Sequence, residues 1–142
     1  MTPLRFGLIG SGFIGRAHAI ALNEVGSVFA EVAAPRCELL ADLTPELARR
    51  SAAALGFARS TGDWRELVAD PQIDVVDICT PNHLHREMAL AALAAGKHVY
   101  VEKPLTLSAA EAQELTELAA SRGRKLMVGH LLEYHPAVNY MK

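Results

Sequence analysis

The sequence predicts a doubly wound α/β fold, a Rossmann-type sheet of about six parallel strands in the order 3-2-1-4-5-6, alternating with helices. Three observations predict it. Short apolar runs of strand length alternate with longer stretches in which apolar residues recur at helical spacing. Candidate central strands such as Val75-Val76-Asp77-Ile78-Cys79 are nearly all apolar, as a parallel strand covered on both faces should be. The first strand-to-helix junction carries Gly10-Ser11-Gly12-Phe13-Ile14-Gly15, a glycine spacing that suits a sharp turn into a helix.

Taken in order, residues 4–9 form the first strand and 13–25 the first helix, followed by an extended connection over 26–36. Residues 37–41 are the second strand, with Asp42 at its carboxyl end. Thr44-Pro45-Glu46 starts a helix: a capping hydroxyl, proline at the first helical position and an acid near the positive end of the dipole. Gly56 stops that helix after Leu55. A short third strand over 57–60 leads to a brief helix containing Trp64, Leu67 and Val68, which places Trp64 either on the core edge or beside an adenine. Residues 75–79 are the fourth strand, and Asn82 is the expected N-cap of a helix whose Leu84, Met88, Ala91, Ala92 and Ala95 share one face. Gly96 ends it, 98–102 form the fifth strand, and Ser108-Ala109-Ala110-Glu111 reads as a capping box. Arg122 and Gly123 close that helix, 125–129 form the sixth strand, and Pro136 begins a last helix.

The 142 residues, 51% of them hydrophobic, suit one domain with a proper core. A net charge of −2 with interspersed signs offers no basic face, so nucleic acid is not an expected partner. No apolar run approaches the roughly 20 residues that span a bilayer, and the N-terminus lacks the layout of a signal peptide. Cys37 and Cys79, both in predicted buried strands, read as reduced core thiols of a cytoplasmic protein.

The glycine turn carries specific physics. Gly10 permits a sharp bend, Gly12 lets a pyrophosphate approach the backbone, and Gly15 allows close helix–strand packing. The first-turn N–H groups near Phe13 and Ile14 then face the phosphates. The competing reading is a tight turn that binds nothing. Asp42 is placed to accept the adenosine ribose hydroxyls and repel a 2′-phosphate, and no arginine stands beside it, which favours NAD over NADP. The plainer role for Asp42 is a capping or solvated loop acid. Strand order brings the glycine turn, the 80–85 segment and Glu102-Lys103 to one crevice. Lys103 could bind a substrate hydroxyl and stabilise a developing alkoxide there, or be a surface lysine paired with an acid. His83 and His85, two apart at a helix start, diverge, and His130 and His135 lack helical ligand spacing, so no metal is expected.

Gly10-Ser11-Gly12-Phe13-Ile14-Gly15-Arg16-Ala17-His18, Cys79-Thr80-Pro81-Asn82-His83-Leu84-His85 and Ala95-Gly96-Lys97-His98-Val99-Tyr100-Val101-Glu102-Lys103-Pro104-Leu105 together resemble the N-terminal domain of the Gfo/Idh/MocA oxidoreductases. The resemblance covers nearly the whole chain and implies NAD(P)-dependent oxidation or reduction at a hydroxyl of a sugar, nucleotide-sugar or cyclic polyol. It implies that Gly10, Gly12, Phe13, Ile14 and Gly15 hold the pyrophosphate and Asp42 the ribose. Thr80, Asn82 and His85 would line the cofactor, Glu102 would touch the nicotinamide end, and Lys103 would be the catalytic lysine. Two departures stand out. The segment 128–136 fits the family's passage to its second domain only loosely, leaving His130 either facing substrate or capping a strand. Relatives also continue into a substrate-binding α/β domain that this 142-residue chain lacks, so the chain is expected to bind NAD weakly without turnover. The alternatives are a non-catalytic nucleotide-binding module that self-associates, and an S-adenosylmethionine methyltransferase, against which Glu102-Lys103-Pro104 argues.

Overall fold

Alternation along the strands decides how the molecule is layered. In the computed structural model, which describes residues 2–142, six strands form one parallel sheet: β1 (Arg5–Ile9), β2 (Arg36–Ala41), β3 (Arg59–Thr61), β4 (Val75–Ile78), β5 (His98–Val101) and β6 (Leu126–Val128). They lie in the order β3-β2-β1-β4-β5-β6, as the sequence predicts. Leu8 and Leu40 point to one face, where they pack with Ala19, Ala48, Ala52 and Phe57 from α1 (Phe13–Val28), α2 (Pro45–Leu55) and the turn after α2. Their neighbours Ile9, Leu39 and Ala41 point the other way, joining Val76, Ile78, Val99 and Val101. That second face is covered by α3 (Trp64–Ala69), α4 (His85–Ala94) and α5 (Ala109–Ser121). The period of two therefore puts Asp77, which alternates with Val76 and Ile78, on the α1 side.

Local signals work largely as expected. The Thr44 hydroxyl accepts from the Leu47 N–H at 3.2 Å, and Gly56 ends α2 at φ 78°, a left-handed conformation that costs other residues energy. Ser108 accepts from the Glu111 N–H at 3.3 Å, but the Glu111 carboxylate reaches back to the Leu107 N–H and not to that of Ser108. Pro136 opens α6 (Pro136–Met141), with the His135 ring accepting from the Ala137 N–H at 3.2 Å.

The departures have local causes. α1 runs on through Gly26 to Val28, shortening the expected connection to a loop over 29–35. The third strand starts at Arg59, because Phe57 turns into the core instead of extending along the sheet. Asn82 does not cap α4: residues 82–84 form a single tight turn, closed by the Leu84 N–H on the Pro81 carbonyl, and the helix begins at His85. Cys37 is only half-buried, since the first half of β2 is incompletely covered. Among the described residues, no helix is long and apolar enough to cross a membrane.

Candidate functional site

Strand order reverses between β1 and β4, and the loops at the carboxyl ends of these strands diverge to leave a crevice of about 900 Å³. The turn Gly10–Phe13 forms its floor, Asp42, Gly62 and Trp64 one side, and Thr80, His83 and Leu84 the other. Trp64 packs against the core edge, the plainer of its two expected roles, and also lines the crevice.

The three glycines have three different reasons to be glycine. Gly10 sits at φ 92°, and a Cβ there would meet the Cys79 carbonyl oxygen at 2.8 Å. A Cβ on Gly15 would overlap the Gly10 carbonyl oxygen, so α1 reaches its closeness to the turn only through this residue. On Gly12 a Cβ would meet nothing within 4 Å; the space it would occupy is open crevice. Gly12 also caps α1 without a side-chain hydrogen bond, leaving the N–H groups of Phe13 and Ile14 without an intrahelical partner. Main-chain donors, room for a ligand and the positive end of a helix therefore coincide.

Asp42 lies beside this turn. Its Oδ2 accepts from the Ser11 N–H at 2.8 Å and from the Ser11 hydroxyl, and Oδ1 accepts from the Leu43 N–H at 2.7 Å. The Ser11 hydroxyl lies 2.7 Å from that of Ser51 in α2. Ser11 is the contact that sequence reading missed: buried within the hexapeptide, it locks the acid to the glycine turn. A carboxylate oxygen can accept two bonds, so Oδ1, with one donor, keeps capacity for a ligand hydroxyl. Arg16, one turn into α1, also lines the crevice, its Nε donating to the Ser11 carbonyl at 3.3 Å.

On the opposite wall Thr80 faces the crevice, whereas His85 does not. The His85 ring is fully buried, with Nδ1 2.7 Å from the Pro104 carbonyl oxygen and Nε2 2.8 Å from that of Thr80. It ties the β4 and β5 loops together from behind, because at the first residue of α4 its side chain points inward. Asn82 is exposed but does not line the crevice, and neither do Ile14 and Gly15, which support it from below.

Glu102 and Lys103 also stand outside this crevice, a correction to their expected place on its wall. They follow β5, one strand beyond β4, and the Glu102 N–H donates to the Ile78 carbonyl at 3.0 Å. Lys103 is exposed and precedes a cis proline bond. The Glu102 side chain, 6% exposed, folds back beneath the chain: Oε2 accepts from the Lys103 N–H at 3.1 Å and Oε1 lies 3.1 Å from His18 Nε2. Gly129 makes room for it, since a Cβ there would lie 2.5 Å from Oε1.

His18 was quoted above only as part of a motif, and Asp77 only as part of a strand. The structure joins them. His18 Nδ1 lies 3.0 Å from both carboxylate oxygens of Asp77, and its ring stacks on Tyr100 at 5.0 Å between centroids. A lone acid in an apolar strand was the available signal, because a buried carboxylate demands a partner. Burial disfavours the charged ring, but the bonds and charges of Asp77 and Glu102 outweigh it, raising the His18 pKa above its ordinary value. Burial raises Asp77 too, against the opposing pull of His18. The Tyr100 hydroxyl is pushed up to about 12, by burial and then by the nearby acids. The Cys79 thiol, also raised by burial, donates to Asp77 at 3.5 Å. Donor atoms of His18, Asp77 and Cys79 gather within 4.8 Å, but mutual hydrogen bonds already occupy them, and we assign them to a hydrogen-bonded cluster rather than a metal centre. His130 is exposed and makes no side-chain capping bond.

Against known proteins, residues 4–130 match the model of the Gfo/Idh/MocA oxidoreductase family, described as an NAD-binding Rossmann fold. The chain belongs to this family. Levoglucosan dehydrogenase from Pseudarthrobacter phenanthrenivorans is 42% identical over all of this chain and 37% of its own length. The crystal structure of an NAD-binding oxidoreductase from Klebsiella pneumoniae superposes with a TM-score of 0.94 at 49% identity, over 99% of this chain and 38% of that one. A levoglucosan dehydrogenase in complex with NADH and levoglucosan gives a TM-score of 0.92 at 42% identity, over 96% of this chain and 37% of that one. The chain thus spans about two fifths of the length of the proteins it matches. Family membership removes the methyltransferase alternative.

Proposed function

We propose that residues 1–142 form the NAD(H)-binding domain of a dehydrogenase acting on a hydroxyl of a sugar, nucleotide-sugar or cyclic polyol. The observation that carries the reading is the Gly12 turn: a main-chain surface with no partner of its own, open to a crevice that a side chain there would begin to fill. Its donors suit a diphosphate. Asp42, held by Ser11, would accept the adenosine ribose hydroxyls and repel a 2′-phosphate, and Leu43 beside it provides no cation to offset that repulsion. The bound nicotinamide supplies the carbon that accepts or returns hydride.

The chain's own residues do the rest. Phe13 and Ile14 donate main-chain N–H groups, Thr80 borders the crevice, and His85 fixes the loops behind it from Thr80 to Pro104. Lys103, exposed just past β5, would place an ammonium where a substrate hydroxyl becomes negative as its proton leaves. The dehydrogenase named for levoglucosan among the relatives supports a carbohydrate-like substrate.

Calorimetric titration of the chain with NADH and NADPH tests this. NADH is expected to bind, and more tightly than NADPH. Tighter NADPH binding would remove the role given to Asp42; no binding of either would remove the reading.

A further inference from the structure

We propose that His18, held by Asp77, is a positioning residue for the nicotinamide end of the site: it fixes the Glu102 carboxylate, which in turn holds the main chain at Lys103. This rests on the functional reading above, and it adds two residues, His18 and Asp77, that lie outside the Gly10–Gly15 turn and do not line the crevice.

The geometry carries it. His18 lies one helical turn beyond Gly15, so close packing of α1 on the sheet lowers its ring onto the strand ends. There it meets four groups from two strands and the loops after them: Asp77 and Tyr100 from β4 and β5, and Cys79 and Glu102 just past their ends. Asp77 grips Nδ1 with both oxygens, and Tyr100 fixes the plane of the ring. Together these leave Nε2 a single direction, toward Glu102. Glu102 then has one oxygen on His18 and the other on the Lys103 N–H, over a glycine that admits no side chain.

A carboxylate this buried keeps its place only while it has donors. His18 is its only side-chain donor among the described residues. Without that bond the lowest-energy course is for the carboxylate to swing out to water. Doing so releases the Lys103 N–H and the direction in which the lysine leaves β5. The glycine turn ends β1, two strands away from the β5 end where this swing occurs, Asp42 follows β2 beyond it, and neither shares any of these bonds. The effect is therefore confined to one end of the ligand.

ADP-ribose, which has the diphosphate and both riboses but no nicotinamide, separates the ends. Titrate the wild-type chain and His18→Leu, His18→Gln and Glu102→Gln with NADH and with ADP-ribose, and follow hydrogen exchange of the Lys103 amide without ligand. His18→Leu and Glu102→Gln are each expected to weaken NADH about tenfold relative to ADP-ribose, the loss typical of a hydrogen bond to a charged group. Both should also speed Lys103 exchange. His18→Gln retains an N–H donor and restores much of both. Should His18→Leu fail to fold, Glu102→Gln against His18→Gln decides the matter. Equal losses for both ligands, or unchanged exchange at Lys103, would show a merely structural histidine and overturn the proposal. A wild-type chain that binds neither ligand overturns the functional reading instead.

Discussion

The glycine turn and the His18 cluster are built by different means. At the β1–α1 turn the working surface is main chain, and the side chains that matter are the ones missing: Gly10, Gly12 and Gly15 each leave a space that something else uses. At the β4–β5 end, outside the crevice, buried side chains do the holding: His18, Asp77 and Glu102 converge from three elements and hydrogen-bond one another out of water. The first is rigid because its backbone cannot be placed otherwise. The second is rigid only while its protons and partners stay in place. The difference teaches where each end is vulnerable: steric change destroys the turn, whereas pH and donor loss act on the cluster.

The largest expected effect tests the steric end. Gly15→Ala puts a methyl group into the Gly10 carbonyl, and only a shift of α1 relieves it. The cost should reach about 3 kcal/mol, as overpacking in a rigid site does, read from the midpoint of denaturant unfolding. Retention of wild-type stability would mean that the helix and turn are not in contact as described.

The middle effect separates binding from folding within the same turn. In Gly12→Ala the methyl group enters open crevice. Losing glycine at the cap and stiffening the unfolded chain oppose each other at about 0.5–1 kcal/mol each, so stability should barely move. NADH affinity should nevertheless fall about tenfold or more, from lost approach of the diphosphate to the amides. Unchanged affinity would show that the ligand does not lie on this turn.

The smallest effect belongs to the cluster and is a matter of sign. The folded pKa of His18 is raised above its unfolded value of 6.5, so the stability it contributes is fully present below that pH and is lost as pH rises through the folded value. Asp77, raised from 3.8, acts in the same direction. The Arg5–Asp74 pair at the opposite end of the sheet acts the other way: the side-chain bond from Arg5 lowers Asp74, and that contribution is lost only as pH falls. Unfolding midpoints measured from about pH 6 to about pH 8 should decline in the wild type and decline less in His18→Gln. Parallel declines in both would show that the cluster does not take up protons on folding.

Most of the fold was legible because it depends on local order. Thr44-Pro45 and Ser108 announce helix starts, Gly56, Gly96 and Gly123 turn the chain at positive φ, and strand parity splits Leu8 from Ile9. Strand order followed from the doubly wound class that alternating strands and helices imply, and the family resemblance pointed to the cofactor class. What the linear chain determined is thus wherever cause and effect lie a few residues apart: the glycine turn, the acid after β2, the alternation of elements. The tertiary structure alone decided the rest, because it depends on partners far apart in sequence. Ser11 with Asp42 and Ser51, His85 with Pro104, and His18 with Asp77 and Glu102 are separated by 19 to 84 residues. A buried polar group must find its partner in space, and the sequence shows only that it will need one.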